Sequence, residues 1–143
     1  VVGPNLLEDA LQESYLVVFS KIDQVREPAA FKSWSCRIVL HICYQLKSRH
    51  PAFEELPDIG AQASESDQIV ASVALRQGLA RLNRNDRDIL ILREMLNLSY
   101  EEIAETLKLS GGTVRSRLHK ARHRLAQRLD PESSSPAKLA AAH

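Results

Sequence analysis

Apolar residues recur at helical spacing along most of the chain, and the stretches between them carry the marks of helix ends. The pattern predicts a first helix from Leu6 to about Ser20, with Leu7, Leu11, Ser14, Tyr15 and Val18 on one face. Asp9, Gln12, Glu13 and Leu16 fall on the other, an outward leucine within an acidic-polar patch. A loop from Asp23 to Ala30 follows, closed by Glu27-Pro28. The next helix runs from about Ala29 to Ser48, with Phe31, Trp34, Ile38, Ile42 and Leu46 as its apolar stripe. Its opposite side holds Ser33, Arg37, Leu40, Tyr44 and Lys47, a mix of cations and an aromatic ring suited to phosphates and to stacking on unpaired bases. His50-Pro51 ends it, because proline cannot continue a helix and restricts the residue before it.

From Pro51 to about Asp67 the pattern lapses. This stretch is acidic, carries Pro51, Pro57 and Gly60, and reads as a flexible linker and a domain boundary. Periodicity resumes in a helix from Gln68 to Leu82, with Leu75, Leu79 and Leu82 in register. Asn83 to Asp86 supplies a turn and cap, and Asp86 to Leu96 the next helix, with Ile89, Leu92 and Leu96 in register.

Leu98 to Leu129 then reads as two helices across a turn of three residues, Lys108-Leu109-Ser110, the length found in a helix-turn-helix. Ser99 and Glu102 have capping-box spacing, and Leu98 with Ile103 the spacing of a hydrophobic staple. Ser110 is the N-cap expected for the second helix, with Leu109 and Val114 as its staple. Val114, Leu118, Ala121 and Leu125 form the core stripe of that helix. Arg115, Ser116, His119, Lys120 and His123 project away, flanked by Arg117, Arg122 and Arg124.

Charge sharpens the picture. The 143-residue chain has a net charge of only +1, so its overall balance says nothing about partners. The distribution does: Lys108 to Arg128 holds seven Lys or Arg and no acid, whereas Glu54 to Asp67 holds five acids and no Lys or Arg. A basic second helix in a tight helix pair, with its first turn exposed, is the arrangement that enters DNA. Aromatic residues at 5% and five glycines suit helices rather than an all-β fold. No apolar run approaches the ~20 residues of a membrane span, and no secretory signal is visible. Cys36 and Cys43 lie two turns apart in one helix, too far for a disulfide, which fits a reducing cytoplasm.

Enzymatic chemistry finds no support. There is no Gly-rich phosphate loop and no Ser/His/Asp arrangement in a suitable context. Glu101, Glu102 and Glu105 are explained by a helix cap and a solvated face. Cys36, His41, Cys43 and His50 make a poor metal set, since His41 faces away and no CxxC pair exists. Neither a metal nor a cofactor is expected.

The order EDALQESY, FKSWSCRIV, an acidic linker and LSYEEIAETLKLSGGTVRSRLHKARHRL resembles bacterial RNA polymerase sigma factors of the extracytoplasmic-function (ECF) group of the sigma-70 family. The resemblance covers about residues 6–50 and 68–129 and is most specific in EEIAE and GTVRSRLHKAR. It implies an all-α chain: a region 2-like domain at 1–50, a linker at 51–67, and a region 4-like four-helix domain at 68–130 containing the helix-turn-helix. A tail at 131–143 ends in a segment resembling a cloning scar, and the N-terminus is read as shortened, because helices of regions 1.2 and 2.1 belong ahead of Leu6. The family's roles carry over by position. Asp9, Gln12, Glu13 and Leu16 would bind the polymerase, on its β′ clamp. Arg37, Leu40, His41, Tyr44 and Lys47 would face the −10 element, which this module recognises and melts. Thr113, Arg115, Ser116, Arg117, His119, Lys120, Arg122 and Arg124 would face the −35 element. An arginine there can fork onto guanine O6 and N7 while its neighbours hold phosphates.

Two positions depart from the family's pattern. Leu40-His41 stands where Arg-Asn is frequent, and Lys108 where a turn glycine is common. The expected partners are core RNA polymerase, through its β and β′ subunits, promoter DNA and an anti-sigma factor. Two alternatives stay open: a response-type DNA-binding regulator with a similar C-terminal domain, and a sigma mimic that binds an anti-sigma factor without initiating transcription.

Overall fold

The structure is a computed structural model, and it describes Val2, residues 4–51 and residues 67–130. Most of the acidic linker and the tail expected at 131–143 lie outside the described residues. Those residues are helical or in turns, with no strand among them. Helix α1 spans Pro4–Lys21, and single 3-10 turns at Ile22–Gln24 and Pro28–Ala30 lead into α2, Phe31–Arg49. Helix α3 spans Asp67–Ala80, and α4 spans Arg84–Leu90 and continues as a π turn over Ile91–Met95. Helices α5, Tyr100–Leu107, and α6, Gly111–Leu129, complete the helix-turn-helix. Two compact units emerge: α1, α2 and α5 from Glu101 onward make one, and α3, α4 with its π turn, Tyr100 and α6 the other.

In the first unit α1 packs on α2 through Leu6, Ala10, Ile42, Cys43 and Leu46, with Val17 and Ile38 against them. The stripe α1 buries is therefore Leu6, Ala10 and Ser14, one residue away from the face expected, which leaves Leu7, Leu11 and Tyr15 exposed. Both stripes are apolar, so periodicity alone does not choose between them; packing against α2 does. Phe31 is likewise exposed, and α2 buries Ile42 and Leu46 from its expected stripe. In the same unit α5 meets α2 through polar groups. Ser33 Oγ donates to Glu105 Oε2 at 2.8 Å, and Thr106 Oγ1 donates to the carbonyls of Glu102 at 2.7 Å and Ser33 at 3.3 Å.

In the second unit α6 packs on α4 and α3. Ile89, Leu92, Leu98, Val114, Leu118 and Ala121 are all but fully buried. Each large aliphatic side chain buried this way is worth about 1.5–3 kcal/mol relative to exposure. Gly78 marks where α3 meets α6: a Cβ there would lie 3.1 Å from Leu125 Cδ1 and 3.2 Å from Leu129 Cδ2. Helix α4 starts at Arg84, two residues before the expected Asp86, because Asn83 caps it, accepting from the Asp86 amide at 2.9 Å while its own amide donates to Asp86 Oδ2 at 2.8 Å.

Leu96 does not hold the expected register. The π turn rotates it away from the stripe of Ile89 and Leu92, and it is exposed, whereas Leu98 takes the buried position. The helix stops at Asn97, whose φ of 52° is left-handed. Helix α5 stops at a second left-handed residue, Lys108, with φ 54°. There the Leu109 amide donates to the Ala104 carbonyl at 2.9 Å, the long-range bond of a Schellman cap. The position where the family favours glycine thus has the backbone that favours it.

Candidate nucleic-acid interface

Helix α6 begins where the sequence places it. Ser110 is extended, with φ −76° and ψ 153°, and its Oγ accepts from the Thr113 amide at 3.3 Å. The hydroxyls of Ser110 and Thr113 lie 2.7 Å apart, and Ser116 Oγ donates to the Thr113 carbonyl at 3.1 Å. Val114, Leu118 and Ala121 anchor the helix in the core. The opposite side is consequently fixed outward: Arg115, Ser116, His119 and Lys120 are exposed, and Thr113 and Arg117 are half-buried. A Cβ on Gly111 or Gly112 would meet nothing within 4 Å, so the first turn is bare to an approaching backbone.

The cations of α6 divide along its length. Arg115, Arg117 and Lys120 make no ion pair among the described residues. Farther along, Arg122 grips Glu94 Oε1 through Nε at 2.8 Å and Nη2 at 2.6 Å. Arg124 Nη1 donates to Asp86 Oδ2 at 2.6 Å, and that carboxylate is buried. The ring Nε2 of His123 lies 3.0 Å from Gln127 Nε2. Among the described residues the first three turns therefore carry positive charge that no carboxylate answers, while the next two carry charge answered by α4 and the π turn.

The residues expected at the −10 element occupy one side of α2. His41 is exposed; Arg37, Leu40, Tyr44 and Lys47 are half-buried. Arg37 is engaged within its own unit, with Nε donating to the Thr106 carbonyl at 3.4 Å and Nη2 bonded to the Glu105 carbonyl. A cation on the last carbonyls of a helix also meets the negative end of its dipole. Beside it Cys36 is half-buried, and burial pushes its thiol pKa up, with Lys32 opposing the rise and Glu102 adding to it. On α1, Asp9, Gln12 and Leu16 are exposed, Leu16 at 72%, and Glu13 lies 3.5 Å from Arg49. Among the described residues no cluster of His, Cys, Asp or Glu has the makings of a metal site.

A family model for sigma-70 region 4 matches residues 72–125. Beyond that segment, the ECF RNA polymerase sigma-E factor of Salmonella typhimurium strain LT2 is 31% identical over 140 residues, covering 86% of this chain and 73% of its own. This chain belongs to the ECF sigma factors. Its Escherichia coli K12 relative, also a sigma-E factor, is 30% identical over 140 residues with the same coverage. SigM of Mycobacterium tuberculosis H37Rv is 32% identical over 124 residues, and the present sigma factor spans 63% of SigM's length. Two solved structures share the fold at a TM-score of 0.68. One is CnrH with the cytosolic domain of CnrY, at 20% identity over 92% of this chain and 75% of that one. The other is the Bartonella quintana sigma factor RpoE with the anti-sigma factor NepR, at 24% identity over 90% and 83%.

Within this sigma factor, two residues beside the candidate interface carry no mark in the sequence. Arg93 and Arg115 both lie over the ring of Tyr100, at 5.2 and 6.0 Å from its centroid. Arg93 sits in the π turn of a helix read as core-facing, and Tyr100 follows the serine expected to cap α5, so neither stood out as a contact residue. No helix among the described residues is long and apolar enough to cross a membrane.

Proposed function

We propose that this chain is a promoter-specificity subunit of bacterial RNA polymerase, acting in the cytoplasm without catalytic chemistry of its own. In this reading residues 68–130 form the −35 module, 1–50 the polymerase-docking and −10 module, and 51–67 the strap between them. The observation that carries it is the division of charge on α6: among the described residues exposed Arg115 and Lys120 and half-buried Arg117 have no carboxylate partner, on a helix whose other side is locked into a core. A polyanion gains there by releasing its counterions, and an arginine early in a recognition helix reaches base edges. The outward Asp9, Gln12 and Leu16 support a polymerase-facing surface on α1. The neighbours CnrH and RpoE, solved with CnrY and the anti-sigma factor NepR, support regulation by an anti-sigma partner.

Run-off transcription with purified core polymerase tests the reading, together with capture of the β and β′ subunits by the tagged chain. Promoter-dependent transcripts and both subunits are expected. Capture without transcripts points to a mimic; binding to DNA without capture points to a free-standing regulator.

A further inference from the structure

Tyr100 opens α5, half-buried, and gathers two guanidinium groups from different elements. Arg93 comes from the π turn and is fixed twice: its Cζ lies 5.2 Å from the ring centroid, and its Nη1 donates to the Leu98 carbonyl at 2.8 Å. Leu98 is fully buried, so that carbonyl is a rigid anchor. Arg115 comes from α6, exposed, with its Cζ 6.0 Å from the same centroid. Neither arginine makes an ion pair among the described residues. Two like charges thus converge on one ring with no carboxylate between them among the described residues, an arrangement that an incoming anion relieves. A free arginine must give up much rotamer freedom on binding. A ring face that holds the guanidinium beforehand removes part of that cost.

We propose that Tyr100 is a positioning residue for DNA recognition: its ring orients Arg115 toward the base edges while Arg93, held beside it, takes an adjacent backbone phosphate. The inference rests on the promoter-reading function above. It separates two jobs. Arg93 contributes phosphate affinity, common to every sequence. Tyr100 acts through Arg115 on discrimination between sequences.

The test uses the full chain, a duplex enriched by the unchanged chain from a randomised library, and a shuffled duplex. Tyr100→Leu is expected to lower the ratio of selected to shuffled affinity about threefold, the scale of one lost cation–π contact at an exposed site. The slope of log affinity against log salt should stay the same. Tyr100→Phe keeps the ring and should restore the ratio. Arg93→Gln should reduce the salt slope by about one counterion and leave the ratio alone. In an Arg115→Ala background, Tyr100→Leu should have no further effect on the ratio. If Tyr100→Leu loses its helical circular dichroism, Tyr100→Met, of similar length without a ring, takes its place. An unchanged ratio in the ringless variant, equal losses in the Leu and Phe variants, or a full further loss without Arg115 overturns the inference while leaving DNA reading intact. If the unchanged chain enriches no duplex, the function and the inference fall together.

Discussion

Arg124 Nη1 lies 2.6 Å from Asp86 Oδ2, a pair that joins a half-exposed guanidinium on α6 to a carboxylate left only 6% exposed in its side chain. Asp86 also accepts from the Asn83 side-chain amide, so one oxygen ties the cap of α4 to the back of α6. Removing the carboxylate strands both donors. Asp86→Ala is expected to destabilise the chain by about 1–3 kcal/mol. Glu94→Ala, which breaks the exposed Arg122 pair, should cost less than about 1 kcal/mol. Urea denaturation compares them, and equal losses would deny the Asp86 pair its structural role.

The same pairs predict which arginines matter for DNA. Among the described residues Arg115 and Lys120 have no carboxylate to leave, so replacing both with alanine should weaken duplex binding, with loss of Lys120 lowering the salt slope by about one counterion and loss of Arg115 lowering discrimination between sequences. Arg122 and Arg124 are held by Glu94 and Asp86. Changing Arg122 to alanine should alter the slope by less than one. Affinities measured across a salt series decide; identical slopes for the two sets would remove the division of charge from the binding account.

Lys108 holds a left-handed backbone at the end of α5. That conformation costs a residue with a Cβ about 1–2 kcal/mol. Glycine relieves it but adds freedom to the unfolded chain worth about 0.4–1 kcal/mol. Lys108→Gly should therefore gain about 0.5–1 kcal/mol net, read as a higher denaturation midpoint. Lys108→Ala should gain nothing, since it keeps the Cβ.

Burial raises the Cys36 thiol pKa, so the native chain holds less thiolate than the unfolded chain at a given alkaline pH. Iodoacetamide should modify Cys36 more slowly in the native state, and the gap should narrow as pH rises. By linkage the folded state keeps its full advantage below the thiol's unfolded pKa and loses it as pH climbs through the raised, folded one. Cys36→Ala should flatten that alkaline decline. Equal alkylation rates in native and denatured chains would contradict the burial.

How much of this was legible beforehand depended on how local its cause is. The core stripe of α6 and the cap at Ser110 follow from residues a few positions apart, and both stand where the pattern puts them. The buried face of α1 was not legible, because Leu6 and Leu7, and again Ala10 and Leu11, are apolar neighbours, and only contact with α2 selects the first of each pair. The outward side of α6 was legible as a set of cations. Which of them are already engaged was not, because Asp86 and Glu94 are distant in sequence and reach Arg124 and Arg122 only through the fold. Arg93 and Tyr100 meet in the same way, through a ring contact that has no signature in spacing.

The π turn at Ile91–Met95 gives this segment a place where its length can change by one residue. A π turn holds an extra residue that an α-helical turn would not need, and here the surplus is carried outward by exposed Met95 and Leu96. Deleting Met95 should let the segment close as ordinary helix while Ile89 and Leu98 remain buried, so that a shortened chain still melts cooperatively. Adding a residue at the same place has no such slack to use. Thermal melts of the two variants should then be unequal, with the insertion the less stable.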